Sequence, residues 1–294
     1  MVTHHCPTPE DPSRVVVLGG RGFIGGALLG ALERAGIPGL APSRTELDLA
    51  ADGAGERLAA LLRATDALVF LACLTPDKGR GVGPFLQNIH MAASVCAALE
   101  KVTPAHVVYF SSDAVYPLDG APVTEQSCAQ PADLYGAMHL AREIMIKSAA
   151  RAPVAVLRPT LVYGAADTHN SYGPNRFRRM ASKQGRITLG GEGEETRDHI
   201  LVDDLVALVL LVLCHQSSGT LNVATGCSIT HAELAKKIAA LFERPIDVVG
   251  TPRQNPITHR HFDATTLQKA FPAFTFTALD AGLAKAHREM LERG

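Results

Sequence analysis

The sequence predicts an α/β fold, a doubly wound parallel sheet with a smaller C-terminal lobe. Three observations lead there. Short apolar runs alternate with helical patterns through the first 164 residues. A glycine-rich turn, Gly19-Gly20-Arg21-Gly22-Phe23-Ile24-Gly25, ends the first such run and opens a helical pattern. The chain of 294 residues is 47% hydrophobic, which is ample for a sizeable core.

The elements follow in order. Residues 1–13 are polar, hold Pro7, Pro9 and Pro12, and read as a loose tail without the apolar centre of a signal peptide. Residues 15–18 form the first strand. The helix after the glycine turn carries Leu28, Leu29, Leu32 and Ala35 and stops at Gly36. A second strand is expected near 39–42, a helix over 55–63 and a strand over 67–72. The same reading gives a helix over 85–99, a strand over 105–110, a helix over 133–150 and a strand over 154–157. Residues 14–164 thus make the parallel sheet, and 165–294 mainly a second lobe, with some segments returning to the sheet. That lobe includes a buried apolar helix over 205–214, too short for the roughly 20 residues that span a bilayer. It also includes a helix over 230–242, where Thr230 and Glu233 form a capping box, and a last helix over 278–292.

Composition excludes several classes. Lys and Arg total 28 against 29 Asp and Glu, so the net charge of −1 argues against a nucleic-acid partner. The six cysteines show no CxxC spacing, and a reduced, cytoplasmic setting without a membrane is expected. His169 and His199 are isolated, and no metal-ligand set is visible.

The glycine turn carries the first functional signal. Small residues let backbone approach a pyrophosphate, and the N–H groups opening the next helix then face that anion. Gly19, Gly22 and Gly25, with Arg21, Phe23 and Ile24 between them, are the candidate cofactor contacts. After the second strand, an NAD site places a carboxylate on the ribose. Here the chain reads Ala41-Pro42-Ser43-Arg44, and Arg44 suits a 2′-phosphate. NADP is therefore favoured over NAD, with the choice left open. Ser43, Arg44, Asp48 and Leu49 are the candidates on that side.

Two further segments, Phe110-Ser111-Ser112-Asp113-Ala114-Val115-Tyr116 and Tyr135-Gly136-Ala137-Met138-His139, complete a pattern. With the glycine turn, the chain resembles the extended short-chain dehydrogenase/reductase family of nucleotide-sugar epimerases, dehydratases and reductases. The resemblance continues through Leu71-Ala72, through Leu157-Arg158-Pro159, through Arg197-Asp198-His199 and through the GTLNVATG stretch at 219–226. It implies a Rossmann-type fold, hydride transfer with a nicotinamide cofactor, and a nucleotide-sugar or other small carbonyl or hydroxyl substrate. It also implies a homodimer through helices around 91–99 and 134–150. Tyr135 is then the acid/base and Ser112 orients the substrate oxygen. Leu71, Ala72 and Pro159 flank the cofactor. Asn88, Asn175, Arg197, Arg253 and Arg260 are the substrate-side candidates, beside the polar stretch 167–179. Asp113 stands where family dehydratases keep an acidic pair, but its neighbour is Ala114, which argues against a 4,6-dehydratase. Leu161 stands where the family carries a substrate-contacting asparagine.

His139 departs from the family's Tyr-x-x-x-Lys pattern. Positions i and i+4 share a helix face, so His139 points where the lysine would. A histidine donates one hydrogen bond, but its ordinary pKa of ~6.5 does not guarantee a charge at neutral pH. Three readings stay open: His139 replaces the lysine, Lys78 reaches in from its loop, or the protein is a non-catalytic dinucleotide-binding sensor or assembly subunit. Lys147, about 18 Å further along a straight helix, is excluded.

Overall fold

The computed structural model describes residues 2–118, 120–168 and 173–293. Seven strands form the central sheet: β1 (Thr3–His4), β2 (Arg14–Leu18), β3 (Gly39–Leu40), β4 (Asp66–Phe70), β5 (His106–Phe110), β6 (Val154–Pro159) and β7 (Ser217–Val223). Their spatial order is β1-β7-β6-β5-β4-β2-β3, and all pairings are parallel except β1 with β7. The chain leaves β2 toward β3 on one side and returns to β4 on the other. That reversal opens a crevice outside the carboxyl ends of β2 and β4.

Alternation in β2 shows why the sheet is double-wound. Val15 and Val17 pack with Leu28 and Leu32 of α1 (Phe23–Arg34) and with Leu205 and Val209 of the helix Val202–Cys214. Val16 and Leu18 face the other way. They meet Leu58 of α2 (Ala54–Leu61), Val95 and Leu99 of α3 (Val82–Lys101), and Ile146 of α4 (Leu134–Ala149). Both faces are therefore covered, as a parallel sheet requires. By length and composition α3 is apolar enough to cross a membrane, yet it packs against α2 and α4 as one layer of this sandwich.

The second lobe has its own apolar cluster, in which Phe177, Ile187, Leu234, Ile238 and Leu283 pack together. Thr230 caps the helix His231–Ala239 and Glu233 completes the capping box. Several elements of this lobe are not foreseen in the sequence, the strand Asp247–Thr251 and the helix Thr265–Ala270 among them. The helix Pro174–Gln184 and the strand Arg186–Gly190 lie in a stretch dense in Arg and Gly, where no apolar period stands out.

Three expectations change. Residues 1–13 are not simply a loose tail: Thr3 and His4 pair with Ser218 and Ser217, and the His4 ring bonds the Ala270 carbonyl at 2.8 Å. The second strand ends at Leu40 instead of Pro42, since Pro42 has no N–H to give a ladder. Around 91–99, Met91, Val95 and Leu99 are core residues. The apolar side chains that α3 and α4 leave exposed are Val82, Leu86, Leu134 and Ile144.

Candidate functional site

A cleft of about 920 Å³ lies over the carboxyl ends of β2, β4, β5 and β6. Its volume is at the upper end for small-molecule and cofactor sites. One end is the glycine turn. A Cβ on Gly25 would lie 2.3 Å from the Gly19 carbonyl oxygen, and one on Gly19 would lie 2.7 Å from the Ala72 nitrogen. Only bare backbone fits here, and it brings the start of α1 down onto the crevice. Gly22 caps α1 without a side-chain hydrogen bond, so the first N–H groups of the helix face the cleft. Backbone N–H groups presented at a helix start suit a pyrophosphate, and the residues present fit a dinucleotide.

The sequence candidates sort cleanly by position. Gly19, Arg21, Gly22, Phe23, Ile24, Gly25, Arg44, Asp48 and Leu49 line the glycine-turn end, with Leu71 and Ala72 beside them. Ser112, Asp113, Tyr135, His139 and Pro159 line the middle, and Asn175, Arg197 and Arg260 the far end. Three candidates lie elsewhere. Ser43 is buried and turns its hydroxyl to Thr45 and the Glu46 backbone, closing the turn after β3. Asn88 spends its amide on the backbone of Leu74, accepting from N at 2.8 Å and donating to O at 3.0 Å, so it pins the loop after β4. Arg253 is engaged by Glu194, Glu195 and the Gly190 carbonyl. Of the polar stretch 167–179, residues 169–172, His169 among them, lie outside the described residues.

Local chemistry draws Ser112 and Tyr135 to one wall. Asp133 caps α4 by accepting from the Gly136 nitrogen at 2.9 Å, which sets Tyr135 in the first turn. A Cβ on Gly136 would lie 2.1 Å from the Ala114 carbonyl oxygen, so glycine is what lets α4 press against the turn 113–115. Ser112 accepts from the Ala114 nitrogen at 3.2 Å and holds that turn. Asp113 lies 3.9 Å from the Arg260 guanidinium, and burial raises its carboxyl pKa against the pull of Arg260 and Arg197. Arg260 itself is buried, and its Nε and Nη1 have no hydrogen-bond partner. Arg197 bonds Thr258 and the Thr196 carbonyl. Asn175 is held by Asp167 and Arg178.

His139 sits beneath this wall, 3% exposed. Its ring meets Tyr135 edge-on at 4.7 Å, and Nδ1 lies 2.9 Å from the Tyr109 hydroxyl. Burial, with the nearby Arg142 cation adding to it, lowers its pKa well below the ordinary histidine value, so it is neutral at pH 7. Lys78 lies on the cleft rim with its side chain 65% exposed and paired with Asp77. Lys147 reaches Thr220.

Sequence reasoning missed Cys73, Tyr109 and Arg142. Tyr109 reads as an ordinary core aromatic of a strand. Arg142 carried one legible signal, the i+3 spacing from His139 and i+7 from Tyr135 that places all three on one helix face. Arg44 extends outward and bonds Asp48 at 3.1 Å. Among the described residues no three His, Cys, Asp or Glu side chains assemble a metal site.

Such a sheet, crevice and glycine cradle define a dinucleotide-binding protein of the extended short-chain type. The sequence model of the NAD dependent epimerase/dehydratase family matches residues 15–224, and the chain belongs to that family. It is 24% identical to a GDP-L-fucose synthase of Sinorhizobium fredii, over 96% of each chain. A dTDP-L-rhamnose 4-epimerase of Burkholderia thailandensis is 28% identical over 143 residues, 46% of this chain but only 39% of that protein. Among solved structures, the UDP-N-acetylglucosamine 4-epimerase of Methanobrevibacter ruminantium, bound to UDP-N-acetylmuramic acid, superposes with a TM-score of 0.83. It shares 23% identity, covering 97% of this chain and all of that one, and the likeness is one of fold.

Proposed function

We propose that the chain is an NAD(P)-dependent epimerase or reductase acting on a nucleotide-linked sugar, with Tyr135 as acid/base. The observation that carries this reading is the close approach at Gly136, which sets Ser112 and Tyr135 on one wall of a cleft that begins at the glycine cradle. In this reading the Gly19–Gly25 turn and the start of α1 hold the pyrophosphate, and Leu71, Ala72, His139 and Pro159 flank the nicotinamide end. A bound nicotinamide supplies hydride acceptance and return. Ser112 donates its hydroxyl hydrogen to the reacting sugar oxygen and fixes that oxygen in line. Tyr135 takes the proton from the same oxygen as carbonyl forms and gives it back as hydroxyl forms. Arg197 and Arg260, which line the far end of the cleft, hold the diphosphate. Asp113 braces Ser112 and Arg260 without a neighbouring second acid, so the reading does not extend to elimination.

NADP is the favoured cofactor because no carboxylate stands at 41–44 and Arg44 lies at the dinucleotide end. A homodimer through the exposed apolar side chains of α3 and α4 belongs to the same reading. The neutral His139 favours a second reading, a non-catalytic dinucleotide binder, because the charge that activates a tyrosine is missing from that position.

One experiment separates the two. UDP-, GDP- and dTDP-sugars are incubated with NADP or NAD, and epimer formation and cofactor absorbance are followed for wild type and Tyr135→Phe. The expected outcome is turnover that falls by roughly 10²–10⁴-fold in the variant. Unchanged turnover in Tyr135→Phe removes the mechanism. Binding of the dinucleotide with no turnover of any sugar supports the second reading.

A further inference from the structure

Below Tyr135, three side chains pass hydrogens in one direction. Tyr109, buried in β5, makes one hydrogen bond with its hydroxyl, to His139 Nδ1 at 2.9 Å. A phenol holds its proton far more tightly than an imidazolium, and burial raises Tyr109 further. The phenol therefore donates. The reverse polarity, with Nδ1–H donating, would leave the phenol hydrogen without an acceptor in a dry site. A neutral imidazole has one hydrogen, and with Nδ1 accepting it must sit on Nε2.

Nε2 lies 3.9 Å from Cys73 Sγ, and both residues line the cleft. The Cys73 thiol in turn donates to the Leu74 carbonyl at 3.5 Å, and Asn88 fixes the Leu74 peptide. The sulfur is thus left facing His139 as a weak acceptor. The groups facing His139 are Arg142 on its own helix, Tyr135 one turn before it, Tyr109 from β5 and Cys73 from the loop after β4. No carboxylate is among them, so nothing favours the imidazolium.

We propose that Tyr109 is a positioning residue that locks His139 as the Nε2–H tautomer, a neutral donor resting on Cys73 that transfers its hydrogen bond to a ribose hydroxyl oxygen entering the cleft. The tautomer stands on the Tyr109–His139–Cys73 geometry and on the burial of both rings, and the ribose half rests on the dinucleotide reading above.

The test is ¹⁵N NMR of the full chain labelled at its twelve histidines, with His139→Gln identifying the His139 signals. At pH 7 the expected spectrum has a protonated, pyrrole-type Nε2 and a hydrogen-bonded, pyridine-type Nδ1. In Tyr109→Phe the Nδ1 signal moves toward an unbonded pyridine-type nitrogen, and affinity for NADP or NAD falls roughly five-fold, the worth of one net hydrogen bond. A wild-type His139 protonated on Nδ1 or on both nitrogens overturns the lock, and this holds even if Tyr109→Phe does not fold. Unchanged affinity in a folded Tyr109→Phe overturns the positioning role. A wild type that shows the tautomer but binds neither NADP nor NAD overturns the dinucleotide reading and with it the ribose half. A wild type that binds with Nδ1 protonated overturns only the lock.

Discussion

Arg142 and Glu143 are neighbours on α4, and they build opposite kinds of site. Glu143 is fully engaged. Arg158 grips it with Nε at 2.8 Å and Nη2 at 2.6 Å, and Ser111 donates to it at 2.5 Å. Arg158 also donates to the Tyr116 hydroxyl at 2.7 Å, which donates onward to Asn222 at 2.8 Å. Arg142 is equally buried but has no carboxylate partner among the described residues. Its guanidinium lies 4.1 Å above the Phe70 ring and 5.3 Å from that of Tyr109, donates to the Ala72 carbonyl at 2.8 Å, and leaves Nε unpaired. The first site is closed and neutral, and ties β5, β6 and α4 together behind Ser112. The second keeps an unneutralised charge under the cleft floor, where it acts on Cys73 and His139. Buried charge is costly in both, and only the first is compensated by an opposite charge.

The contrast can be broken most forcefully at Glu143. Glu143→Ala leaves Arg158 buried and unpaired, and urea denaturation should show a loss of about 3–5 kcal/mol. A loss under about 1 kcal/mol would mean the network is not the anchor described.

The next effect tests whether burial without an acid drives a base neutral elsewhere. His106 on β5 is fully buried, and its Nε2 donates to the Ser217 carbonyl at 2.7 Å. Burial takes its pKa from 6.5 down to about 4, with the Ser217 bond opposing and His5 adding to the shift. The sign follows directly. The folded form stays neutral while the unfolded chain is protonated below 6.5. The stabilisation is therefore complete above pH 6.5 and is lost as pH falls from 6.5 toward 4, by roughly 3 kcal/mol in all. Denaturation midpoints taken across that window should decline, and His106→Gln should flatten the decline.

The smallest stability effect belongs to Arg142. An apolar side chain of similar length removes a charge that nothing neutralises, so Arg142→Met should change stability by no more than about 1 kcal/mol. The same variant should raise the His139 pKa, read by histidine NMR titration, because one repulsive cation is gone. A loss as large as that in Glu143→Ala would erase the distinction between the two sites.

Much of the fold is legible in the sequence alone. The period of β2, the glycine turn and the helix signals define the double-wound sheet, because each is a local pattern with one physical reading. Gly19 is legible in the same way, whereas Ser112, Tyr135 and His139 are proposed only through the family resemblance, and what the structure adds is that all of them line one cleft. Tyr109, Cys73 and Arg142 are not legible. Their significance lies in who faces whom across β4, β5 and α4, and sequence spacing is silent on that. Asn88 and Arg253 were misplaced because an amide or guanidinium looks the same whether it meets a ligand or its own backbone and carboxylates. The helix Pro174–Gln184 escaped because its polar, arginine-rich sequence hides the few apolar positions, Phe177 and Ala181, that dock it.

The two-residue strand β1 has a consequence of another kind. It covers the outer hydrogen-bonding side of β7, an edge that would otherwise offer Ser217 and Ser218 as a template for a second chain. His4 fastens it by packing its ring at a tilt against His215, at 4.6 Å, and Phe271, at 5.0 Å between ring centres. The first few residues therefore close that end of the sheet edge. A shortened chain starting at residue 14 would keep the whole cleft, yet leave that ladder bare for edge-to-edge pairing between molecules.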